Sequence, residues 1–233
     1  RYLLFEGGPY GRWHQHEDKL SLEVYAYGTP FIVDPGITSY YTNPWTRFYT
    51  TTPAHSTVLV DGCSQARGRN HSIDQWVQSA RTNTVWRSDE RYDAAVATYD
   101  APYAGLDGLV THRRSVLFVK PDYFVVFDEL QGEGRHTYEA LFHFMPFRVL
   151  IDPVTKAVRT GRMNAANLEI LPLVRMSPSL ICGQNDPVQG WLAMSGEDIP
   201  APVAIYKKQA TLPFRTGYVI YPFDVGQVTA GIS

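Results

Sequence analysis

Apolar residues in this chain recur every second position far more often than every third or fourth. Leu20 to Tyr27, read as LSLEVYAY, alternates as a half-buried strand does. Short apolar or alternating runs return at 31–33, 57–60, 82–86, 94–99, 110–119, 123–130 and 136–144, and again at 168–171, 180–182, 191–194, 203–207 and 218–221. Asp34-Pro35-Gly36 and Asp61-Gly62 end two of these runs. Lys120-Pro121-Asp122 and Gly132-Glu133-Gly134 predict hairpin turns. No segment sustains a helical period, and 16 prolines spread along the chain argue the same way. Many strands at short intervals predict an all-β sandwich or barrel. Thr38 to Pro53 breaks the rhythm as a long loop rich in Tyr, Thr and Pro, and loops of that length are often functional.

Composition narrows the function classes. The 233 residues are 44% apolar, enough for a sizeable core and against disorder. A net charge of −2, with no block of one sign, argues against nucleic acid as the main partner. No apolar run approaches the length needed to span a membrane as a helix. Arg1 to Phe5 already reads as a strand, which predicts a fragment or processed chain with any targeting signal outside it. Cys63 and Cys182 fit two free thiols or one long-range bridge. Fifteen Tyr, eleven Phe and five Trp suit strands, and also suit stacking on sugar rings.

Three elements carry the candidate chemistry. His14-Gln15-His16 places two imidazoles on one face if the segment is extended. Asp34 ends a strand, and His55 precedes one. Two His and one carboxylate from separate strand ends suit zinc, which takes three protein ligands and leaves a position for water. Asp18 is a candidate hydrogen-bond partner for a ligand imidazole. An H-x-H pair alone also fits scattered turn residues. His71, His112, His136 and His143 read as ordinary polar residues of strands and loops, and Arg67 and Arg69 as a solvated pair. A metal-binding cupin needs a Glu four or five residues after the second His; Leu20 and Ser21 stand there instead.

Taken in order, H-x-H-x-D-x-L-S, VDPG, a loop with Tyr and Arg, and AHSTVLVDGCSQ resemble the C-terminal part of heparinase II/III-like polysaccharide lyases. HRRSVLFVKPDYFVVFDEL, GRHTYEALFHF, QGWLAM and PAPVAIYKK extend the resemblance over nearly the whole chain. Ser56 stands where that family commonly has Asn. The resemblance implies one domain over 1–233, a large two-sheet antiparallel β-sandwich of the super-sandwich type with little helix. It implies a zinc or other divalent cation held by His16, Asp34 and His55. It implies His14 in catalysis, and Arg47, Tyr49 and Tyr41 on the substrate.

The same resemblance implies a lyase acting on uronate-containing acidic polysaccharides, such as glycosaminoglycans or alginate, by β-elimination. It implies a partner N-terminal helical domain carrying the principal catalytic Tyr, so this chain alone is expected to be inactive. It also implies a periplasmic or secreted location. The alternative is a non-catalytic carbohydrate-binding or scaffold module of the same fold.

Overall fold

The computed structural model describes residues 1–11, 14–39, 41, 43–67 and 83–226. In chain order the strands are β1 (Tyr2–Phe5), β2 (Leu22–Ala26), β3 (Thr29–Ile32), β4 (Val58–Val60), β5 (Val85–Ser88), β6 (Tyr92–Tyr99), β7 (Thr111–Val119), β8 (Tyr123–Gln131), β9 (Arg135–His143), β10 (Val149–Ile151), β11 (Val158–Thr160), β12 (Asn167–Pro172), β13 (Pro178–Ile181), β14 (Gln184–Asn185), β15 (Val188–Gln189), β16 (Trp191–Met194), β17 (Glu197–Pro200), β18 (Val203–Thr211) and β19 (Phe214–Phe223). One short helix, α1 (Pro44–Tyr49), and a 3₁₀ turn, Thr52–Ala54, lie between β3 and β4.

Two antiparallel layers form the sandwich. The larger is an eight-stranded sheet in the order β10-β11-β12-β19-β8-β7-β6-β5. The facing layer is β13-β18-β9-β4. β3 extends it, because Ile32 bridges Phe144 just beyond β9, and β3 brings β2 and β1 with it. β18 takes one whole edge of β9, so β4 and β3 share the other edge, one after the other. The candidate site lies at the gap between them.

Alternation explains the core. Phe124, Val126, Ile170, Tyr218 and Ile220 point inward from the large sheet, against Leu22, Val24, Val58, Tyr138, Phe142 and Tyr206. Each fully buried side chain of this kind contributes about 1.5–3 kcal/mol. On the outward face of the second layer Leu59, Leu141 and Val203 form a small apolar cluster with Ile181 and Ile205. The last four residues of β9, Ala140 to His143, are buried on both faces.

Several sequence expectations are refined. Lys120-Pro121-Asp122 does join the hairpin β7–β8. Gly132-Glu133-Gly134 does not form a hairpin, because β8 and β9 enter different layers and the turn arches between them. Gly134 has φ +87, which suits an arch that bends away from the strand plane. The loop from Thr38 to Pro53 contains α1. Asn43 caps it by accepting a hydrogen bond from Thr46 N–H at 2.9 Å, and Pro44 opens the first turn. That Asn-Pro pair was the available signal, but six residues are too few for periodicity to register. Thr82, expected to begin a strand, lies outside the described residues, as do Arg69 and His71. Both cysteines are free thiols.

Candidate metal and substrate site

Asp34 follows β3, His55 follows the 3₁₀ turn, and His16 lies in the loop before β2. The three meet: one ligand atom from each lies within 4.8 Å of the others. VDPG sets Asp34. Pro35 followed by Gly36 at φ +67 is the pairing a type II turn asks for, and Asp34 Oδ1 accepts Gly36 N–H at 3.0 Å. Asp34 Oδ2 faces His55 Nδ1 at 2.6 Å. The His16 and His55 rings are 5.2 Å apart between centroids.

The electrostatics differ among the three residues. Burial lowers the pKa of His16, with the nearby His55 and His14 acting in the same direction and Asp34 opposing, so His16 is biased towards neutral imidazole. Burial acts to raise Asp34, but the His55 hydrogen bond and charge outweigh it and hold the carboxyl below the usual range. Burial likewise opposes charge on His55, but Asp34 outweighs it and raises that imidazole. His55 is fully buried, and its Nε2 has no hydrogen-bond partner among the described residues. A buried ring nitrogen with nothing to bond is costly unless something else meets it. A nitrogen/oxygen set of two imidazoles and one carboxylate, with a lone pair left over, fits zinc.

The histidine loop is not a strand. His14 has φ 55 and Leu20 φ 68, so the same-face argument from alternation does not apply to His14 and His16. Other segments fix the loop instead. Glu17 N–H donates to Thr50 O at the end of α1, and Thr52 Oγ1 donates to Glu17 O at 2.6 Å. Gln65 grips Lys19 on both sides: it accepts from Lys19 N–H at 2.9 Å and donates to Lys19 O at 2.8 Å. Thr57 Oγ1 donates a second bond to Lys19 O at 2.9 Å.

Arg67 overturns its sequence reading as a solvated residue. It is 2% exposed, and its Nη2 donates to His16 O at 3.0 Å and to Asp18 Oδ1 at 2.9 Å. Its guanidinium also lies over the Tyr10 ring. Asp18 thus pairs with Arg67, and no hydrogen bond joins it to a ligand imidazole among the described contacts. The signal for this was the adjacent acids Glu17 and Asp18, which a buried arginine could neutralise.

The substrate candidates separate. His14 and Arg47 are exposed, and Tyr41 is 86% exposed. Arg47 lines a groove of about 550 Å³ with Thr51, Leu59, Glu139, Gln184 and Ile205. Tyr49 is 0% exposed, and its hydroxyl donates to Asp198 Oδ1 at 2.7 Å. Tyr49 and the edge-on Trp45–Trp191 pair anchor α1 on the β16–β17 hairpin, so Tyr49 orients Arg47 from below.

The other described histidines, His112, His136 and His143, hold the structure together. His143 Nε2 donates to Pro53 O at 3.0 Å, and burial pushes its pKa down to about 3. His136 meets Asp61, and His112 meets Asp128 in the core.

A two-layer antiparallel sandwich with a His-Asp-His cluster at one strand gap defines a class, and comparison with known proteins places the chain within it. The model of the family described as "Heparinase II/III-like, C-terminal" matches residues 1–215, and the chain belongs to that family. It is 29% identical over 239 aligned residues to a heparin-sulfate lyase of Pedobacter heparinus, covering 99% of this chain and 33% of that protein. The crystal structure of heparan sulfate lyase HepC from Pedobacter heparinus superimposes with a TM-score of 0.74 at 21% identity, covering 97% of this chain and 33% of HepC. A heparinase III gene product gives 0.74 at 19% identity, over 95% of this chain and 32% of its own. These superpositions show a shared fold. The chain spans about a third of the length of the relatives it matches.

Proposed function

We propose that this chain is the β-sandwich domain of a polysaccharide lyase. It carries a structural zinc or other divalent cation on His16, Asp34 and His55, and it forms part of the cleft for a uronate-containing acidic polysaccharide. The observation that carries this reading is the convergence of three residues from three separate segments, with an unpartnered buried Nε2 on His55. The named relative acts on heparin sulfate, which favours a glycosaminoglycan substrate here. The remaining catalytic groups belong to a helical domain N-terminal to this one, so the isolated chain binds metal without turning over substrate. A periplasmic or secreted setting, where such polymers are met, goes with this reading.

β-Elimination takes the C5 proton of a uronate, expels the O4 substituent and needs charge stabilisation at the carboxylate. Exposed His14 can donate to that carboxylate or hold the proton. Arg47, presented at the groove by α1, supplies a fixed positive charge for a second acidic group, and Tyr41 a stacking face and a hydroxyl. His16, Asp34 and His55 hold the loop that displays His14. The bound ion supplies a positive charge that ties these three chain segments together.

The test is His14→Ala in the full-length protein. Turnover falls, read as unsaturated uronate formed, while metal content stays at the wild-type level. Unchanged turnover removes His14 from the mechanism. Tight binding of acidic oligosaccharides by the isolated chain would favour the alternative, a non-catalytic binding module.

A further inference from the structure

Two buried arginines hold the two ends of the ligand loop, His16 and Leu20, and neither belongs to the ligand set. Arg67 bonds the carbonyl of His16 itself. Arg114 comes from β7 of the opposite layer and is 0% exposed. Its Nη1 donates to Leu20 O at 2.7 Å and to Ser56 O at 2.9 Å. Leu20 ends the histidine loop, and Ser56 follows His55. One nitrogen thus spans the two segments that deliver His16 and His55.

The position of that nitrogen is fixed from behind. Asp128 on β8 takes Arg114 in a two-pronged grip, Nε to Oδ1 at 2.7 Å and Nη2 to Oδ2 at 2.9 Å. His112 and Tyr138 each add a 2.7 Å contact to the same carboxylate. A planar guanidinium held at two points has a fixed direction for its remaining N–H groups, which a lysine cannot reproduce. Leu20 also sits at φ 68, a left-handed backbone that a leucine adopts only where its surroundings hold it there.

We propose that Arg67 and Arg114 are positioning residues which bracket the loop from His16 to Leu20 and set the distance between the His16 and His55 side chains. The inference rests on the metal reading above. It adds that the geometry of the ligand set is dictated from the large sheet, through Asp128 and Arg114, and from beyond β4, through Arg67. Neither arginine touches the ion or the substrate.

The experiment is a zinc titration of the metal-stripped chain against a chromophoric chelator, for wild type, Arg67→Lys, Arg114→Lys and Tyr206→Phe. Near-ultraviolet circular dichroism checks that each is folded. Both lysine variants bind zinc at least about tenfold more weakly, the range found when groups behind metal ligands are altered. Tyr206→Phe loses buried hydroxyl contacts with Lys156 O and Ile170 O but none to Asp128 or to the carbonyls the two arginines hold. It lowers the unfolding midpoint and leaves zinc affinity within about twofold of wild type, outside the range for groups behind ligands. Wild-type affinity in the folded lysine variants overturns the inference, as does an equal loss in Tyr206→Phe. A wild-type chain that binds no zinc overturns the metal reading and this inference with it.

Should Arg114→Lys not fold, the wild type alone decides the Arg114 half. Linkage requires zinc to tighten the bracket that positions it, so added zinc slows hydrogen exchange at Arg114 Nε–H. Unchanged exchange overturns that half.

Discussion

Replacing Asp128 with Asn removes one charge and almost no volume, which makes it a clean probe of the buried network. The Asp128 carboxylate is 1% exposed and receives Arg114 twice, His112 once and the Tyr138 hydroxyl once. Burial would raise its pKa, but Arg114 and His112 outweigh that and hold it far below the usual carboxylate range. An Asn there leaves the Arg114 guanidinium buried without a counter-charge and points amide protons at groups that are themselves donors. Breaking a buried pair in this way costs about 3–5 kcal/mol. For a domain of this size that moves a urea midpoint down by about 1–2 M with the slope unchanged.

The pH dependence gives an independent check. A carboxyl whose folded pKa is depressed contributes stability that is fully present above its unfolded value of about 3.9 and is lost as pH falls towards the folded value. The difference between wild type and Asp128→Asn is therefore constant near neutrality and narrows only below about pH 4. Urea unfolding followed by tryptophan fluorescence at several pH values measures both. A midpoint within about 0.3 M of wild type at neutral pH would refute the reasoning.

Two further outcomes are expected. Arg47→Ala in the full-length protein raises KM for acidic oligosaccharides with a smaller change in kcat, because an exposed side chain on the groove contributes binding more than chemistry; steady-state kinetics at low and high salt checks it. Gly190→Ala lowers the thermal midpoint, because Gly190 has φ +76 and an added Cβ would stand 2.8 Å from Ile181 O, a strain of about 1–3 kcal/mol read by calorimetry.

The strands were legible in the sequence because burial on one face imposes a two-residue period. β6 to β9 stand within a residue or two of the runs that announced them. β10 and β11 were not legible: each has three residues and, unlike the equally short but wholly buried β4, an exposed residue at its centre. The pairing of strands was less legible than their existence. Gly132 to Gly134 has the composition of a hairpin turn, and only the layer each neighbour joins shows it to be an arch.

In the site, His16, Asp34 and His55 were found by type and order, and the fold brings them together. What holds them was hidden. Arg67, Gln65 and Arg114 act on backbone carbonyls and amides, and a sequence shows no partner for a bond made to the main chain. The resemblance puts Tyr49 on the substrate together with Arg47, whereas α1 sends the two side chains in different directions, one to solvent and one to Asp198.

The measurement that bears most directly on the whole account is the metal content of the purified chain, by elemental mass spectrometry, beside His16→Ala. The account predicts about one zinc or other divalent ion per wild-type chain, lost in the variant while the fold remains. Wild type without metal, or a variant that keeps it, would contradict the site and return these histidines to the role of ordinary polar residues at a strand gap.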